Sequence, residues 1–390
     1  MPVYPADLLP MEKVREAFPV LNDVVYLNVG TYGIMPEGAL AEYQAIQAEF
    51  ESRGAASDGS YGRKSEEARQ RIAALLNAQK EEIAFTRNAT DGINLVLAGI
   101  DWQPGDEVIT TDQEHEAMMH PLLYLAQSKG IVVNLLEMSP RAEIMLERLE
   151  QAMTQKTRLV AMSLVSCETG TRLPAAAISR WAAERDLLTL FDGAQVTGVF
   201  SLDVQEMGFD FYASNGHKWL SGPKGTGFFF GKLDKLTRLS PVHVGAGSLE
   251  KVDIPNRIGE PFHTAQRFEF GTRAWPGQAG LCGSLDWFEG LGWPKVHAHI
   301  AGLSQYLKES VLERPYLQLL SPLAFDESSG LVTFRMDGHA ALQIQKELRE
   351  KGKVITRVIP HYNGLRLSTA HFNTPQEIDL LMDGIDQIHG

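Results

Sequence analysis

From residue 82 to residue 191, short β-like runs alternate with helix-like stretches, and this alternation restricts the fold more than any other property of the chain. Residues 82–86, 107–111, 131–136, 158–163 and 187–191 are the β-like runs; 91–99, 116–129, 142–153 and 175–185 are helix-like. Before them, 63–77 places Ala68, Ile72, Leu75 and Leu76 on one helical face. Strands that alternate with helices of this length build βαβ units on a mostly parallel sheet. Residues 225–231 add a further buried strand. After about residue 275 the pattern changes to a long helix-like region at 278–312, a strand at 331–335, a helix at 339–351 and strands at 353–359 and 364–368. Thr374, Pro375 and Glu377 start a last helix with a capping box. The expected organisation is a large α/β domain over 21–270 and a smaller α+β domain formed by 1–20 with 271–390. The Gly- and Pro-containing loop 241–262 is the expected mobile segment.

Chemistry concentrates at Ser214-Asn215-Gly216-His217-Lys218, which continues through Gly222-Pro223-Lys224-Gly225-Thr226-Gly227. A lysine directly after a histidine sits in a glycine-rich loop that follows a strand-like run at 210–213. Upstream lies Phe191-Asp192-Gly193-Ala194-Gln195, at the end of another strand. A lysine that attacks an aldehyde must be held rigidly and partly desolvated, so that its amine deprotonates. A strand-end aspartate is the counter-charge that a pyridinium nitrogen requires.

Composition narrows the partners. Asp plus Glu outnumber Lys plus Arg by 49 to 36, a net charge of -13, which argues against nucleic acid or an anionic membrane surface. Two cysteines, Cys167 and Cys282, are too few for a disulfide scaffold. No apolar run approaches the roughly 20 residues of a spanning helix, and the first residues lack a basic and then apolar leader pattern. The expected location is the cytoplasm.

The lysine and aspartate motifs, at this order and spacing, resemble the pyridoxal phosphate site of fold-type I enzymes, in particular the class V aminotransferase and cysteine desulfurase family. The resemblance covers nearly the whole chain from Tyr26-Leu27-Asn28 and is nearest to the cystine C–S lyase branch. It implies a mostly parallel, seven-stranded sheet in the large domain and pyridoxal 5′-phosphate as cofactor. Lys218 is then the Schiff-base lysine and proton shuttle, Asp192 the partner of the ring nitrogen, and His115 the imidazole stacked on the ring. Gln195 would bond the ring 3′-oxygen. Ala89 and Thr90, in Arg87-Asn88-Ala89-Thr90-Asp91-Gly92, with Asn215 and His217 would hold the phosphate; an N-cap role for Thr90 or Asp91 fits the same residues. Thr272, in Phe268-Glu269-Phe270-Gly271-Thr272, would reach the phosphate of a second subunit, making a homodimer with shared sites. Arg366 would clamp the substrate α-carboxylate, with Arg357 as a second arginine or a surface ion-pair residue. No metal is implied.

Two departures from the family bear on the reaction. Persulfide-forming desulfurases carry a cysteine in the loop before the carboxylate arginine, whereas residues 358–365 here read Val-Ile-Pro-His-Tyr-Asn-Gly-Leu. Residues 166–170, Ser-Cys-Glu-Thr-Gly, replace a stretch that usually holds asparagine; Cys167 reads as a small lining residue rather than a nucleophile. The expected activity is β-elimination of a sulfur leaving group from a small cysteine-type amino acid. Aminotransferase or epimerase chemistry on the same scaffold is the alternative, and a non-catalytic cofactor-bound sensor the remote one.

Overall fold

A computed structural model describes residues 9–390; residues 1–8 of the expected small domain lie outside the described residues. A seven-stranded sheet forms the centre, in the order Ile83–Thr86, Gly227–Gly231, Phe211–Asn215, Leu188–Asp192, Thr157–Ser163, Glu107–Thr111, Val132–Leu136. The last five in that order run parallel to one another, and Gly227–Gly231 runs antiparallel to both its neighbours. Alternate residues of these strands enter two separate cores. Phe228, Phe230, Tyr212 and Phe191 pack on one face; Phe229, Phe211, Leu190 and Val108 pack on the other. Burial on both faces is why these strands read as continuous apolar runs.

The C-terminal part carries a four-stranded antiparallel sheet, in the order Leu317–Leu319, Leu331–Met336, Gly364–Ser368, Arg357–Ile359. Ala341–Gly352, Trp293–Leu312 and Pro375–His389 close a third core over it with Val332, Phe334 and Leu367. Thr374 and Glu377 form the expected capping box on the last helix.

Several expectations are corrected. The region 278–312 is two helices, Trp275–Leu291 and Trp293–Leu312, broken at Gly292, whose φ of 85° a side-chain-bearing residue rarely adopts. The stretch 353–359 is two short strands, and Val354–Ile355 pairs in parallel with Val25–Tyr26 near the N-terminus. Loop 241–262 holds an antiparallel hairpin, Leu249–Asp253 with Ile258–Pro261. A helix at Glu37–Arg53 was not foreseen; only Ala39 and Ile46 of it are buried, so no apolar stripe announces it.

Candidate active site

In an open parallel sheet, ligands settle beyond the carboxyl ends of the strands. That edge here bears Asp192 and Asn215, the last residues of their strands, together with Glu114 and His115 just beyond Thr111 and Ala89 just beyond Thr86. With Thr90, Cys167, Glu168, Gln195, His217, Lys218, Arg357 and Arg366 they line one cleft of about 520 Å³. Ten of the site residues expected from sequence are thus brought together; Thr272 lies elsewhere.

Lys218 sits on the floor of this cleft. Burial pushes its amine below the ordinary lysine value, while the Asp192 carboxylate pulls the other way. The loop is held by Gly33, whose N–H donates to the His217 carbonyl at 2.9 Å; a Cβ on Gly33 would lie 2.0 Å from the Lys218 carbonyl oxygen. Asp192 is buried, and Ala194 N–H donates to its Oδ1 at 2.8 Å. Burial raises its carboxyl above the ordinary value, opposed by that N–H, Lys218 and His115. Gly193 after it is required by packing, since a Cβ there would lie 1.9 Å from the Tyr212 ring.

His115 caps the helix Glu116–Lys129: Ala117 N–H donates to its Nδ1 at 3.0 Å. In the neutral ring the proton therefore sits on Nε2. Burial, then Lys218, lowers its pKa. Next to it Glu114 is buried. Thr111 Oγ1 (2.6 Å), Ser163 Oγ (2.6 Å) and Ser163 N–H (2.9 Å) all meet its carboxyl, and burial pushes it up to about 7.

The expected phosphate end differs in detail. Asn88, not Thr90 or Asp91, caps the helix Ala89–Gly99, accepting from Asp91 N–H at 2.9 Å. Asp91 instead pairs with Arg87. Ala89 N–H is not free: it donates to Asn215 Oδ1 at 3.0 Å, which aims the Asn215 amide nitrogen away from that bond as a remaining donor. Thr90 stays exposed at the cleft. His217 Nδ1 lies 3.1 Å from the Thr226 carbonyl, a bond in which the ring nitrogen donates. Gln195 is also committed, its Nε2 donating to the Gly30 carbonyl and its Oε1 accepting from Trp219, each at 2.9 Å. Sequence gave no signal for Trp219 in this role.

Arg366 is 5% exposed. Its Nη1 donates to the Cys167 carbonyl at 2.6 Å and its Nη2 to Thr31 Oγ1 at 3.0 Å, while Nε, buried, has no partner. Burial pushes Arg366 down to about 10. Burial also pushes the Cys167 thiol up to about 11. Cys282 is buried in the core, its Sγ donating to the Lys64 carbonyl.

Thr272 and its neighbours Phe270 and Gly271 are exposed and do not line this cleft. The turn is anchored by Glu269, whose carboxylate takes both Nη atoms of Arg69, at 2.7 and 3.0 Å, the Phe85 N–H at 2.7 Å, and Arg273.

The residues fit pyridoxal 5′-phosphate. A desolvated amine, a buried carboxylate and a neutral imidazole face one cleft, the donors of Thr90 and Asn215 lie within it, and a buried arginine retains an unpartnered N–H for a carboxylate. The family model described as aminotransferase class-V matches residues 37–381. A cysteine desulfurase from Dickeya dadantii is 30% identical over 416 residues, covering 99% of this chain and 98% of the relative. A probable cysteine desulfurase from Methanothermobacter thermautotrophicus is 30% identical, covering 97% and 98%. Among solved structures, a cystine C–S lyase in complex with its reaction product cysteine persulfide superposes with a TM-score of 0.86 at 28% identity, covering 94% of this chain and 98% of that one. The chain belongs to the class-V aminotransferase family and is a pyridoxal 5′-phosphate-dependent enzyme.

Proposed function

We propose that this enzyme is a C–S lyase that eliminates sulfur from Cβ of a cysteine- or cystine-type amino acid, with no protein persulfide. For cystine the balance is cystine plus water giving pyruvate, ammonia and cysteine persulfide. The bound cofactor supplies an electron sink that acidifies the substrate Cα–H. Lys218, its amine destabilised as an ammonium by burial, takes the proton from Cα. Asp192 keeps the ring nitrogen protonated, and neutral His115 orients the ring and relays protons through Nε2. Ala89, Thr90, Asn215 and His217 form the phosphate end of the cleft, Thr272 of the partner subunit completes it in a homodimer, and Gln195 turns its second amide hydrogen to the 3′-oxygen. His217 donates Nδ1–H to a carbonyl, so it donates to phosphate only when protonated at Nε2. Arg366 binds the α-carboxylate through its unpartnered Nε–H, with Arg357 beside it.

The observation that carries the lyase reading is the absence of a competent thiolate at the cleft. Residues 357–364, a strand, a short turn and the start of the next strand, offer His361 and Tyr362 but no cysteine. Cys167 is the cysteine lining the cleft, and with its thiol pushed up to about 11 it is overwhelmingly protonated at neutral pH. The similar cystine C–S lyase, whose structure holds cysteine persulfide as product, supports the same reading. The test is a product screen with cysteine, cystine and cysteine sulfoxides, with and without a keto acid, on the wild type and Cys167→Ser. Pyruvate without keto acid, released sulfide or small persulfide, and a serine variant within a few-fold of wild type are expected. A stoichiometric persulfide on Cys167 would make the enzyme a desulfurase with a relocated nucleophile; a keto-acid-dependent new amino acid would make it an aminotransferase.

A further inference from the structure

Lys308, on the helix Trp293–Leu312, is completely buried. It does not line the cleft, and its amine is held by neutral groups: Nζ donates to the Leu323 carbonyl at 3.2 Å and to Ser328 Oγ. Four residues earlier, on the same helix face, Ser304 Oγ donates to the Ser329 carbonyl at 2.7 Å. The helix thus grips, from one side, the connection between the strands Leu317–Leu319 and Leu331–Met336. Burial without an anion beside it disfavours an ammonium. The ammonium nevertheless provides charge-assisted donors, roughly twice as strong as neutral ones.

The other side of this connection is bonded to the turn 166–171 beside the cleft. Arg172 N–H donates to the Glu327 carbonyl at 2.9 Å, Ser321 Oγ to the Thr169 carbonyl at 2.5 Å, and Ser329 Oγ to the Gly170 carbonyl at 3.4 Å. The turn is tied together internally, since Ser166 Oγ accepts from the Glu168 and Thr169 N–H groups and the Ser166 carbonyl accepts from Gly170 N–H. Nor is there slack at the seam: Gly170 has a φ of 74°, and a Cβ on it would lie 2.4 Å from the Leu331 carbonyl oxygen. At the cleft end of the turn the Cys167 carbonyl accepts from Arg366 Nη1. Hydrogen bonds and one tight turn therefore join Lys308 to the guanidinium at the cleft.

We propose that Lys308 is a positioning residue for Arg366: through Ser328 and the connection 321–329 it holds the turn 166–171, and with it the Cys167 carbonyl that aims the guanidinium. This rests on Arg366 as the α-carboxylate site. A charged anchor brings a pH dependence. Burial pushes Lys308 down to about 8, and the Asp326 carboxylate on the connection pulls the other way. Charged groups on the elements packed against its helix are engaged elsewhere or exposed: Asp379 takes the Tyr306 hydroxyl, Asp286 and Glu289 pair with Arg71, and Arg335 is exposed. The charge-assisted hold is full below pH 8 and weakens above it, whereas Arg366, at about 10, keeps its charge to higher pH.

The test titrates the holoenzyme with L-alanine, and with ethylamine as the same amine without the carboxylate, following the cofactor absorbance on both sides of pH 8. At neutral pH, Lys308→Met should bind alanine roughly five-fold more weakly than wild type, a fraction of one charge-assisted hydrogen bond, and ethylamine equally well. The wild-type advantage for alanine should shrink as pH passes 8, because the variant has no group there to lose. With cystine the change should lie in KM rather than kcat. Ser328→Ala keeps the lysine and removes one link; it should show a smaller loss with the same split between alanine and ethylamine, and it carries the test if Lys308→Met does not fold. Variants that weaken both amines by one factor, or neither, make Lys308 a packing residue only and overturn the proposal. A wild type with no preference for alanine over ethylamine removes Arg366 from the α-carboxylate, and the reading beneath the proposal falls with it.

Discussion

On the cleft floor, Asp192 and His115 are each fixed by a backbone N–H two residues along the chain, whereas at the mouth Arg366 is fixed by groups 199 and 335 positions away. The floor is built by strand ends and helix starts that each carry their own constraint. The mouth exists only when the four-stranded sheet, the 166–170 turn and the N-terminal segment meet. Chemistry that a whole family shares can sit on the first kind of structure, because it survives changes elsewhere. Choice of substrate and outcome sits on the second kind, where a changed loop alters who meets whom. The prediction from this contrast is that floor variants lower turnover for every substrate and mouth variants redistribute it among substrates.

The largest effect is expected at Lys218. Lys218→Ala should abolish turnover of all substrates and remove the borohydride-reducible bond between chain and cofactor, since an amine in that position is required. Lys218→Arg should fail equally, because guanidinium stays protonated. Mass spectrometry of the reduced protein checks it; a reducible link that persists in the alanine variant would move the role to another lysine.

Asp192→Asn comes next. The cofactor should remain bound while kcat falls about 100-fold or more on cystine and cysteine alike, the scale of losing one preorganised electrostatic partner. Absorbance after gel filtration reports retention of the cofactor, and steady-state rates report the loss. A drop confined to one substrate would place Asp192 with the mouth and break the contrast.

Arg366→Lys sharpens it from the other side. A lysine cannot keep the bonds to Cys167 and Thr31 while presenting a planar donor edge to a carboxylate. We expect KM to rise roughly ten-fold with kcat changing less, and amino acids to lose binding while their amines without a carboxylate do not.

The same contrast explains what was legible in the sequence. The meeting of Lys218, Asp192 and His115 in one cleft was readable because each belongs to a contiguous run whose strand end or loop is itself a sequence signal. The parallel sheet was readable because burial on both faces leaves unbroken apolar runs. The commitments of the Gln195 amide to Gly30 and Trp219, and of Ala89 N–H to Asn215, were not, since they join side chains to backbone far along the chain. The break at Gly292 was missed because apolar residues continue across it, although Gly292-Trp293-Pro294 carries both a glycine stop and a proline start.

The smallest effect concerns stability and again divides the molecule. Glu114, under the cleft floor, is pushed from its ordinary 4.5 up to about 7 by burial. The folded state thus holds its proton more tightly than the unfolded chain, so its contribution is full below pH 4.5 and is lost as pH rises through 7. Where the C-terminal helices meet, His371 is pushed from 6.5 down to about 3 and His299 to about 4, both through burial. Their contribution has the opposite sign, full above pH 6.5 and lost as pH falls toward 4 and 3. Melting temperature against pH should therefore fall on both sides of a maximum near neutrality. Glu114→Gln mimics the protonated carboxyl, with an amide oxygen for Ser163 N–H and an amide nitrogen for a neighbouring hydroxyl. It should flatten the alkaline limb, worth about 3 kcal/mol at full ionisation, and leave the acid limb unchanged. An alkaline limb identical in wild type and variant would show that Glu114 is ionised at neutral pH in the folded protein, the donors of Thr111 and Ser163 outweighing its burial.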